Sequence, residues 1–214
     1  MHRFEMCYKT MLKSYYYKDT IEVGLDEAGR GPLFGRVYVG AAILPTGDEF
    51  DHSLMKDSKK LSLKKRLHAY EYIKNNAIAW GSYWLSEEDV DKMNIYKATH
   101  HAWHKVLDGL VVKPDNILVD GNKFFPYSIG GDVIPHVCIV KGDNKYSAIA
   151  AASIIAKVER DNYIQDLCDK NPELNEKYNI GKNKGYGAIA HMNGIHTHGI
   201  TKWHRKTFGI CKTY

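Results

Sequence analysis

The sequence predicts an α/β protein in which a mixed β-sheet is flanked by helices. Three strand-like segments come early, at residues 20–25, 36–44 and 77–85. Beyond residue 96, helical and strand-like segments alternate, which is typical of helices packed on a sheet. The chain has 214 residues and a hydrophobic content of 44%, enough for one domain with a real core or for a domain with an extension.

The first two strands are predicted on either side of a glycine-rich turn. Apolar residues alternate with polar or small ones over 20–25, and an apolar run covers 36–44. The turn Gly29-Arg30-Gly31-Pro32 lies between them. Turn residues at 45–48 close the second strand.

Helix signals lie on both sides of the third strand. Ser62 is a predicted N-cap for a helix over 63–75. Apolar residues recur at helical spacing and predict the buried face of that helix: Leu63, Leu67, Tyr70 and Ile73. After the strand at 77–85, residues 86–89 (Ser-Glu-Glu-Asp) resemble a capping box, and a longer helix is predicted over 96–110.

The second half of the chain predicts two more strands and one long helix. The strands cover 116–119 and 136–140, and the helix covers 146–169. A run of small residues at 148–156 predicts close packing of this helix against a sheet or another helix. Asn171-Pro172 ends it, and the Gly- and His-rich tail beyond is predicted to form loops and short helices.

We divide the chain into an N-terminal arm (1–19), a catalytic core (20–170) and a C-terminal extension of the same domain (171–214). No apolar run approaches the ~20 residues of a membrane span, and the arm has no apolar signal core. We therefore expect a cytoplasmic protein with no membrane partner, and a monomer.

Cysteine spacing and net charge give further information on the class of protein. The cysteines stand far apart, without a C-x-x-C pair, and are typical of reduced thiols: Cys7, Cys138, Cys168 and Cys211. The net charge of +5 is compatible with a polyanionic partner but does not require one.

Acidic residues stand at or just past the ends of three predicted strands: Asp26, Glu27, Asp120 and Asp143. If they converge, they repel one another unless cations neutralise them. Mg²⁺ and Mn²⁺ prefer oxygen ligands, and two such ions ~3.5–4 Å apart suit phosphodiester hydrolysis. The alternative is a solvated turn residue or helix cap. That alternative is favoured for any single carboxylate, whereas the set beside a Gly-Arg-Gly turn favours a metal site.

Seven sequence blocks, in order across about residues 21–208, resemble the bacterial ribonuclease HII family. One block would be weak evidence, but seven in order are highly specific. The blocks are GLDEAGRGPL (24–33), DSKKL (57–61), NIYKAT (94–99), LVDG (118–121), KGDNK with AAASIIAKV (141–158), GYG with His191 (185–191) and HRKTF (204–208).

The resemblance implies an RNase H-like fold with a C-terminal helical extension. It implies cleavage of the RNA strand of RNA–DNA hybrids and incision 5′ of ribonucleotides embedded in duplex DNA. The matching carboxylates, Asp26, Glu27, Asp120 and Asp143, would be catalytic and would bind two divalent cations, Mg²⁺ or Mn²⁺. One ion would activate water, the other would stabilise the departing 3′ oxygen, and the products would have 5′-phosphate and 3′-hydroxyl ends.

The resemblance also indicates substrate-binding residues. Gly29, Arg30 and Gly31 match the family's loop that senses the 2′-hydroxyl, the group that distinguishes RNA from DNA. Tyr186 matches the tyrosine that stacks near the RNA–DNA junction; otherwise it would be an ordinary half-buried tyrosine. Basic candidates for phosphate contacts, whose alternative is a solvated basic face, are Lys59, Lys60, Lys157, Arg205 and Lys206.

Several alternatives stay open. The related type HIII enzymes usually have a Gly-Lys-Gly turn and an extra N-terminal domain, whereas this chain has Arg30. A non-catalytic duplex binder is disfavoured by the intact acidic set, and a DNA-only nuclease by the Gly-Arg-Gly turn. The C-terminal histidines could suggest zinc, but they lack a paired motif. A sliding-clamp partner is compatible with such an enzyme, although residues 209–214 contain no motif that supports it.

Overall fold

The computed structural model describes residues 11–214, and it confirms the predicted α/β fold. The first ten residues of the predicted arm, with Cys7, lie outside this range. The strands are β1 (Glu22–Ala28), β2 (Val37–Ile43), β3 (Ala79–Leu85), β4 (Asn116–Asp120), β5 (Tyr127–Ile129), β6 (Asp132–Ile134) and β7 (His136–Ile139). The helices are α1 (Leu63–Asn76), α2 (Glu87–Met93), α3 (Ile95–Asp108), α4 (Ser147–Lys170), α5 (Glu173–Tyr178), α6 (Ile180–Asn183) and α7 (Ile189–His198).

A five-stranded sheet forms the centre, in the order β3-β2-β1-β4-β7. The first three strands pair antiparallel, whereas β4 is parallel to both β1 and β7. The carboxyl ends of β1, β4 and β7 therefore lie at one edge of the sheet, which is where ligands bind in open α/β folds. None of the helices in the described part of the chain is long and apolar enough to cross a membrane.

The first strand differs from its predicted bounds. It begins at Glu22 rather than at residue 20, and it continues through Ala28 because pairing with β2 persists to the partners Ala28 and Tyr38. Asp26 and Glu27 therefore lie inside a paired strand rather than in the turn that follows it. Asp26 and Glu27 pair with β2, and the residue before them, Leu25, pairs with β2 on one side and with β4 on the other. The two carboxylates therefore extend from a rigid backbone.

The buried face of α1 was predicted wrongly at two positions. Leu63 and Leu67 are 63% and 40% exposed, while the buried residues are Ala69, Tyr70 and Ile73. Only the second half of α1 is therefore buried against the rest of the protein. Ser62 does cap it, since the hydroxyl accepts from the Lys65 N–H at 3.4 Å. The capping box at 86–89 is also confirmed.

The hairpin formed by β5 and β6 was not predicted from the sequence. These strands pair antiparallel around Gly130-Gly131, and both glycines have positive φ angles, of 63° and 99°. A Gly-Gly pair between short β-prone segments is a recognised hairpin signal. The hairpin forms a separate two-stranded sheet, so the central sheet is unchanged.

Helix α4 crosses the sheet at very close range, as its small residues predict. A Cβ built on Gly24 of β1 would lie 2.1 Å from the Ala148 backbone, and one on Gly40 of β2 would lie 2.2 Å from the Ala152 carbonyl oxygen. Glycine is required at both positions because the contacting atoms are helix backbone. This approach brings the start of α4 against the strands that contain the acidic residues.

We expect Gly24→Ala to lower the free energy of unfolding by about 3 kcal/mol, at the upper end of overpacking costs. The added methyl cannot fit unless β1 and α4 separate. Urea unfolding followed by circular dichroism measures the loss. Gly109→Ala is the matched control, since its Cβ would lie 3.6 Å from the nearest atom and its φ of −80° suits alanine. Equal stability of both variants would contradict the close packing.

The chain beyond α4 packs back onto the turn between β1 and β2. Its buried apolar residues form one cluster with Phe34 of that turn and with the end of α4: Ile164, Cys168, Leu174, Tyr178, Ile180, Ile195 and Cys211. Residues 33–35 also bond to the tail, because the Leu33 and Gly35 N–H groups donate to the Gly185 and Trp203 carbonyls at 2.9 Å. The C-terminal segment therefore lies beside the predicted active site.

Candidate active site

The parallel strands bring the predicted carboxylates to one edge of the sheet. Asp26 and Glu27 come from β1, Asp120 is the last residue of β4, and Asp143 lies in the short 3₁₀ turn that follows β7. Burial raises the pKa of Asp26 well above its ordinary value, and the charges of Glu27, Asp120 and Asp143 add to this effect. The four groups thus lie within electrostatic range of one another.

Backbone N–H groups and one amide side chain orient these carboxylates. Asp26 Oδ1 accepts from the Glu27 N–H at 2.7 Å, and Asp120 Oδ1 accepts from the Gly142 N–H at 2.6 Å. The Asn144 amide donates to Asp143 Oδ1 at 2.7 Å. Each of these three bonds leaves a second carboxylate oxygen for a ligand.

The donor set fits divalent cations. Glu27 Oε2 is buried without a hydrogen-bond partner, while Oε1 pairs with Arg30 Nη1 at 3.2 Å. Burial also raises the pKa of Glu27, Asp120 and Asp143, so the site favours neutralisation of its charges. Oxygen-only ligands suit Mg²⁺ or Mn²⁺.

Among residues 11–214, no three His, Cys, Asp or Glu side chains lie close enough together to hold a metal ion by themselves. Mg²⁺ usually binds through one or two carboxylates plus waters and substrate phosphate oxygens, so an ion at this site would need ligands from water and substrate as well.

A further carboxylate, Asp57, faces this site, although the sequence did not predict it as one of the site's acidic residues. Its charge raises the pKa of both Asp120 and Asp143. It also caps a 3₁₀ turn by accepting from the Lys59 N–H at 2.9 Å, whereas from the sequence Asp57 was placed only within the DSKKL block. The Lys59 charge acts in the opposite direction and lowers the pKa of Glu27, Asp120 and Asp143.

A cleft of about 380 Å³ opens beside Glu27. Most of the predicted substrate-binding residues line it: Gly29, Arg30, Gly31, Lys59, Lys157 and Tyr186. Tyr186 is 46% exposed, and a Cβ on Gly31 would lie 3.6 Å from its ring. The glycine turn and the tyrosine, far apart in sequence, therefore lie against each other and line the same cleft.

Lys60 and Lys157 differ in their partners. Lys60 is exposed, donates to Asn144 Oδ1, and lines a neighbouring cleft of about 390 Å³ that also contains Asp57 and Asp143. Lys157 is paired with Asp161 at 2.7 Å, and burial lowers its pKa. For both lysines, phosphate binding stays a prediction.

The structure corrects the prediction for Arg205, which is fully buried and is not available to a phosphate. Its guanidinium donates to four carbonyls of the β1–β2 turn: Gly29 at 2.7 Å, Arg30 at 3.1 Å, Pro32 at 3.0 Å and Gly35 at 2.9 and 2.6 Å. All five N–H donors of an arginine are thereby used. Burial lowers the pKa of Arg205 to about 9, which still leaves it charged at neutral pH.

Lys206 is exposed but lies away from the cleft beside Glu27. It lines a different cleft together with Glu87, Glu88 and Asp91, and its backbone N–H donates to Asp91 at 2.8 Å. That cleft also contains Lys92 and Lys202, so its lining is of mixed charge, and a phosphate contact by Lys206 stays a prediction.

A second buried arginine, Arg160 of α4, was missed. It donates to the carbonyls of Arg36 at 3.1 Å, Phe34 at 3.2 Å and Lys184 at 3.1 Å. It thus joins the glycine turn to the segment that precedes Tyr186. Together with Arg205 it fixes the turn from two sides.

Solved structures with this fold define the class. The ribonuclease H2 of Pyrococcus horikoshii OT3 superposes with a TM-score of 0.72 at 23% identity, covering 90% of this chain and 95% of that one. The RNase HII of Archaeoglobus fulgidus, solved as a PCNA:RNase HII complex, gives a TM-score of 0.69 at 27% identity over 89% and 96%. The fold is that of the type 2 ribonucleases H.

Sequence comparison gives the family. The family model described as Ribonuclease HII matches residues 23–211. The Ribonuclease HII of Parabacteroides distasonis is 46% identical over 200 residues, which cover 94% of this chain and 96% of the relative. The chain belongs to the ribonuclease HII family and is a hydrolase of the RNase H class. Membership decides against the type HIII and non-catalytic alternatives.

Proposed function

We propose that this protein cleaves the RNA strand of RNA–DNA hybrids and incises duplex DNA on the 5′ side of embedded ribonucleotides. The products would have 5′-phosphate and 3′-hydroxyl ends. One observation supports this most strongly: the turn at Gly29–Gly31 follows the buried carboxylates directly and lines a single cleft together with Tyr186, against which it packs. A sugar bound there lies beside the acidic site.

Asp26, Glu27, Asp120 and Asp143 would hold two divalent cations, Mg²⁺ or Mn²⁺. When bound, such ions supply a water of lowered pKa and stabilise negative charge on the leaving oxygen. The chain's own part is to orient the carboxylates through Gly142 and Asn144.

The glycine turn is suited to bind a hydroxyl oxygen. The buried Arg205 side chain donates hydrogen bonds to the carbonyls of Gly29 and Arg30, so these carbonyls point away from the cleft. Within the described residues, the N–H groups of Arg30 and Gly31 donate to no backbone carbonyl. They are therefore available to a 2′-oxygen, which is absent from a DNA sugar.

The test is incubation with a DNA duplex that contains one ribonucleotide, with Mg²⁺ or Mn²⁺. We expect a single nick on the 5′ side of the ribonucleotide, a 3′-hydroxyl that a polymerase extends, and no cut in the matched all-DNA duplex. Cutting of long hybrids alone would contradict the incision of single ribonucleotides, and cutting of the all-DNA duplex would contradict sensing of the sugar.

Gly31→Ala separates sensing from folding. The added methyl faces the cleft at an unstrained 3.6 Å from Tyr186, so the free protein should keep its Tm. It would occupy the space of the bound sugar, and we expect kcat/KM on the single-ribonucleotide duplex to fall about tenfold, equivalent to the loss of one hydrogen bond. Gly109→Ala again serves as control. Unchanged kinetics would place the sugar elsewhere.

A further inference from the structure

Two buried histidines connect the C-terminal segment to the cleft. His191 lies in α7 and His204 lies in the loop beyond it, and both are at most 1% exposed. Their Nε2 atoms are 3.0 Å apart. At their other ring nitrogens, His191 Nδ1 lies 2.9 Å from the Tyr186 carbonyl oxygen, and His204 Nδ1 lies 2.9 Å from the Thr201 backbone nitrogen.

These contacts allow only one arrangement of protons. The Thr201 N–H is a donor, so His204 Nδ1 accepts and its proton is on Nε2. That proton is donated to His191 Nε2, and His191 therefore has its own proton on Nδ1, directed at the Tyr186 carbonyl. Both rings are neutral, because a further proton would oppose a donor in either ring: the His204 Nε2–H at His191 Nε2, or the Thr201 N–H at His204 Nδ1. Burial lowers the pKa of both histidines, in agreement with this state.

Tyr186 needs such an anchor because its neighbours are glycines. Gly185 has a φ of +82° and its carbonyl accepts from the Leu33 N–H at 2.9 Å, so the chain before the ring is held, whereas Gly187, directly after the tyrosine, adds no side chain that could restrain it. Apart from the His191 bond, the backbone of Tyr186 is held by the N–H of Tyr186 to Asn183 and by the N–H of Ala188 to Tyr186. Both of these bonds are local turns within the same segment.

The same segment also holds the glycine turn that lines the cleft beside Tyr186. His204 forms an antiparallel bridge with Phe34, and the Arg205 N–H donates to the Leu33 carbonyl at 2.8 Å. His204 thus reaches Tyr186 through His191, while its neighbour Arg205 holds the turn at Gly29. One short segment is therefore connected to both the tyrosine and the glycine turn.

We propose that His191 and His204 are positioning residues, which act as a neutral relay that fixes Tyr186 at the distance from the glycine turn that a ribonucleotide junction requires. Neither histidine touches substrate in this scheme. The inference rests on the proposed function, because it assigns the pair a role in binding that substrate.

Two isosteric variants of His191 test the relay. An asparagine amide lies near the place of Nδ1 and can still donate to Tyr186, whereas a glutamine amide lies near Nε2 and cannot. We expect His191→Gln to lower kcat/KM on the single-ribonucleotide duplex about tenfold and His191→Asn to stay within about twofold. Equal losses in the two variants would overturn the proposal, because cavity effects alone do not distinguish them.

A double-mutant cycle with Tyr186→Ala shows whether the histidine acts through the tyrosine. In that background we expect His191→Gln to cost no more than about twofold, since coupled residues are not additive. A second tenfold loss would overturn the relay. Wild-type cleavage of the same duplex tests the proposed function separately, so an active wild type with an unimpaired His191→Gln variant rejects the relay alone.

Tautomers give a readout that needs no variant. Long-range ¹H–¹⁵N correlation of the imidazoles in the wild-type protein should show His191 protonated on Nδ1 and His204 on Nε2. The reverse pair, or a doubly protonated ring at neutral pH, would contradict the direction of the relay.

Discussion

Asp120→Asn is expected to abolish Mg²⁺-dependent cleavage, with a loss on the order of a thousandfold in kcat, equivalent to about 4 kcal/mol. The amide oxygen can still accept from the Gly142 N–H, so the local geometry persists. The variant loses one anionic ligand, and an amide attracts a divalent ion far less than a carboxylate does. Cleavage of the single-ribonucleotide duplex at saturating Mg²⁺ measures the effect.

The same variant should fold at least as well as the wild type without metal. Burial and the nearby Asp57 raise the pKa of Asp120, which means that its negative charge is destabilising in the metal-free protein. We therefore expect an unchanged or higher Tm in EDTA. Asp132→Asn, an exposed carboxylate on β6, is the charge-matched control and should keep full activity. Undiminished turnover by Asp120→Asn would refute the assignment of the site.

Arg205→Lys is expected to lower the free energy of unfolding by roughly 3 kcal/mol and to reduce cleavage sharply. Lysine offers three donors from one point, whereas Arg205 uses five donors in a planar fork. At least two of the five hydrogen bonds to the Gly29–Gly35 turn would be lost. For a chain of this length the change corresponds to a fall in Tm of about 6–12 °C.

The two readouts separate the buried role of Arg205 from the phosphate contact first predicted for it. Loss of a phosphate contact would raise KM in a salt-dependent way and leave Tm unchanged. Loss of the turn's support would lower Tm and kcat/KM together, with little change in salt dependence. Lys206→Ala, one residue along and exposed, should leave Tm unchanged. A wild-type Tm in Arg205→Lys would contradict the assigned role.

Periodicity predicted the secondary structure well where neighbours in sequence decide it. The small residues of α4 predicted close packing, and Gly24 and Gly40 of the sheet meet that helix. Strand bounds were less accurate at β1, because its last residues are polar. They extend only because β2 continues to pair with them, and the partner's position cannot be seen in the segment itself.

Basic residues were the least predictable part of the site. Lys157 and Arg205 both stand in family-like blocks, yet one lines the cleft and the other is buried. Arg160 did have a helical signal, since it lies four residues from the buried Ala156 and four from the buried Ile164 on α4. That spacing places an arginine on the buried face and indicates that its charge must be met by polar groups.

The sequence by itself determined the acidic set, the glycine turn and the helix of small residues, because side-chain chemistry and local periodicity are properties of short segments. Only the tertiary structure decided that Arg205 holds the turn from 170 residues away, that Asp57 faces the carboxylates, and that two histidines reach Tyr186. These roles depend on burial and on hydrogen-bond partners from distant parts of the chain, and folding alone brings those partners together.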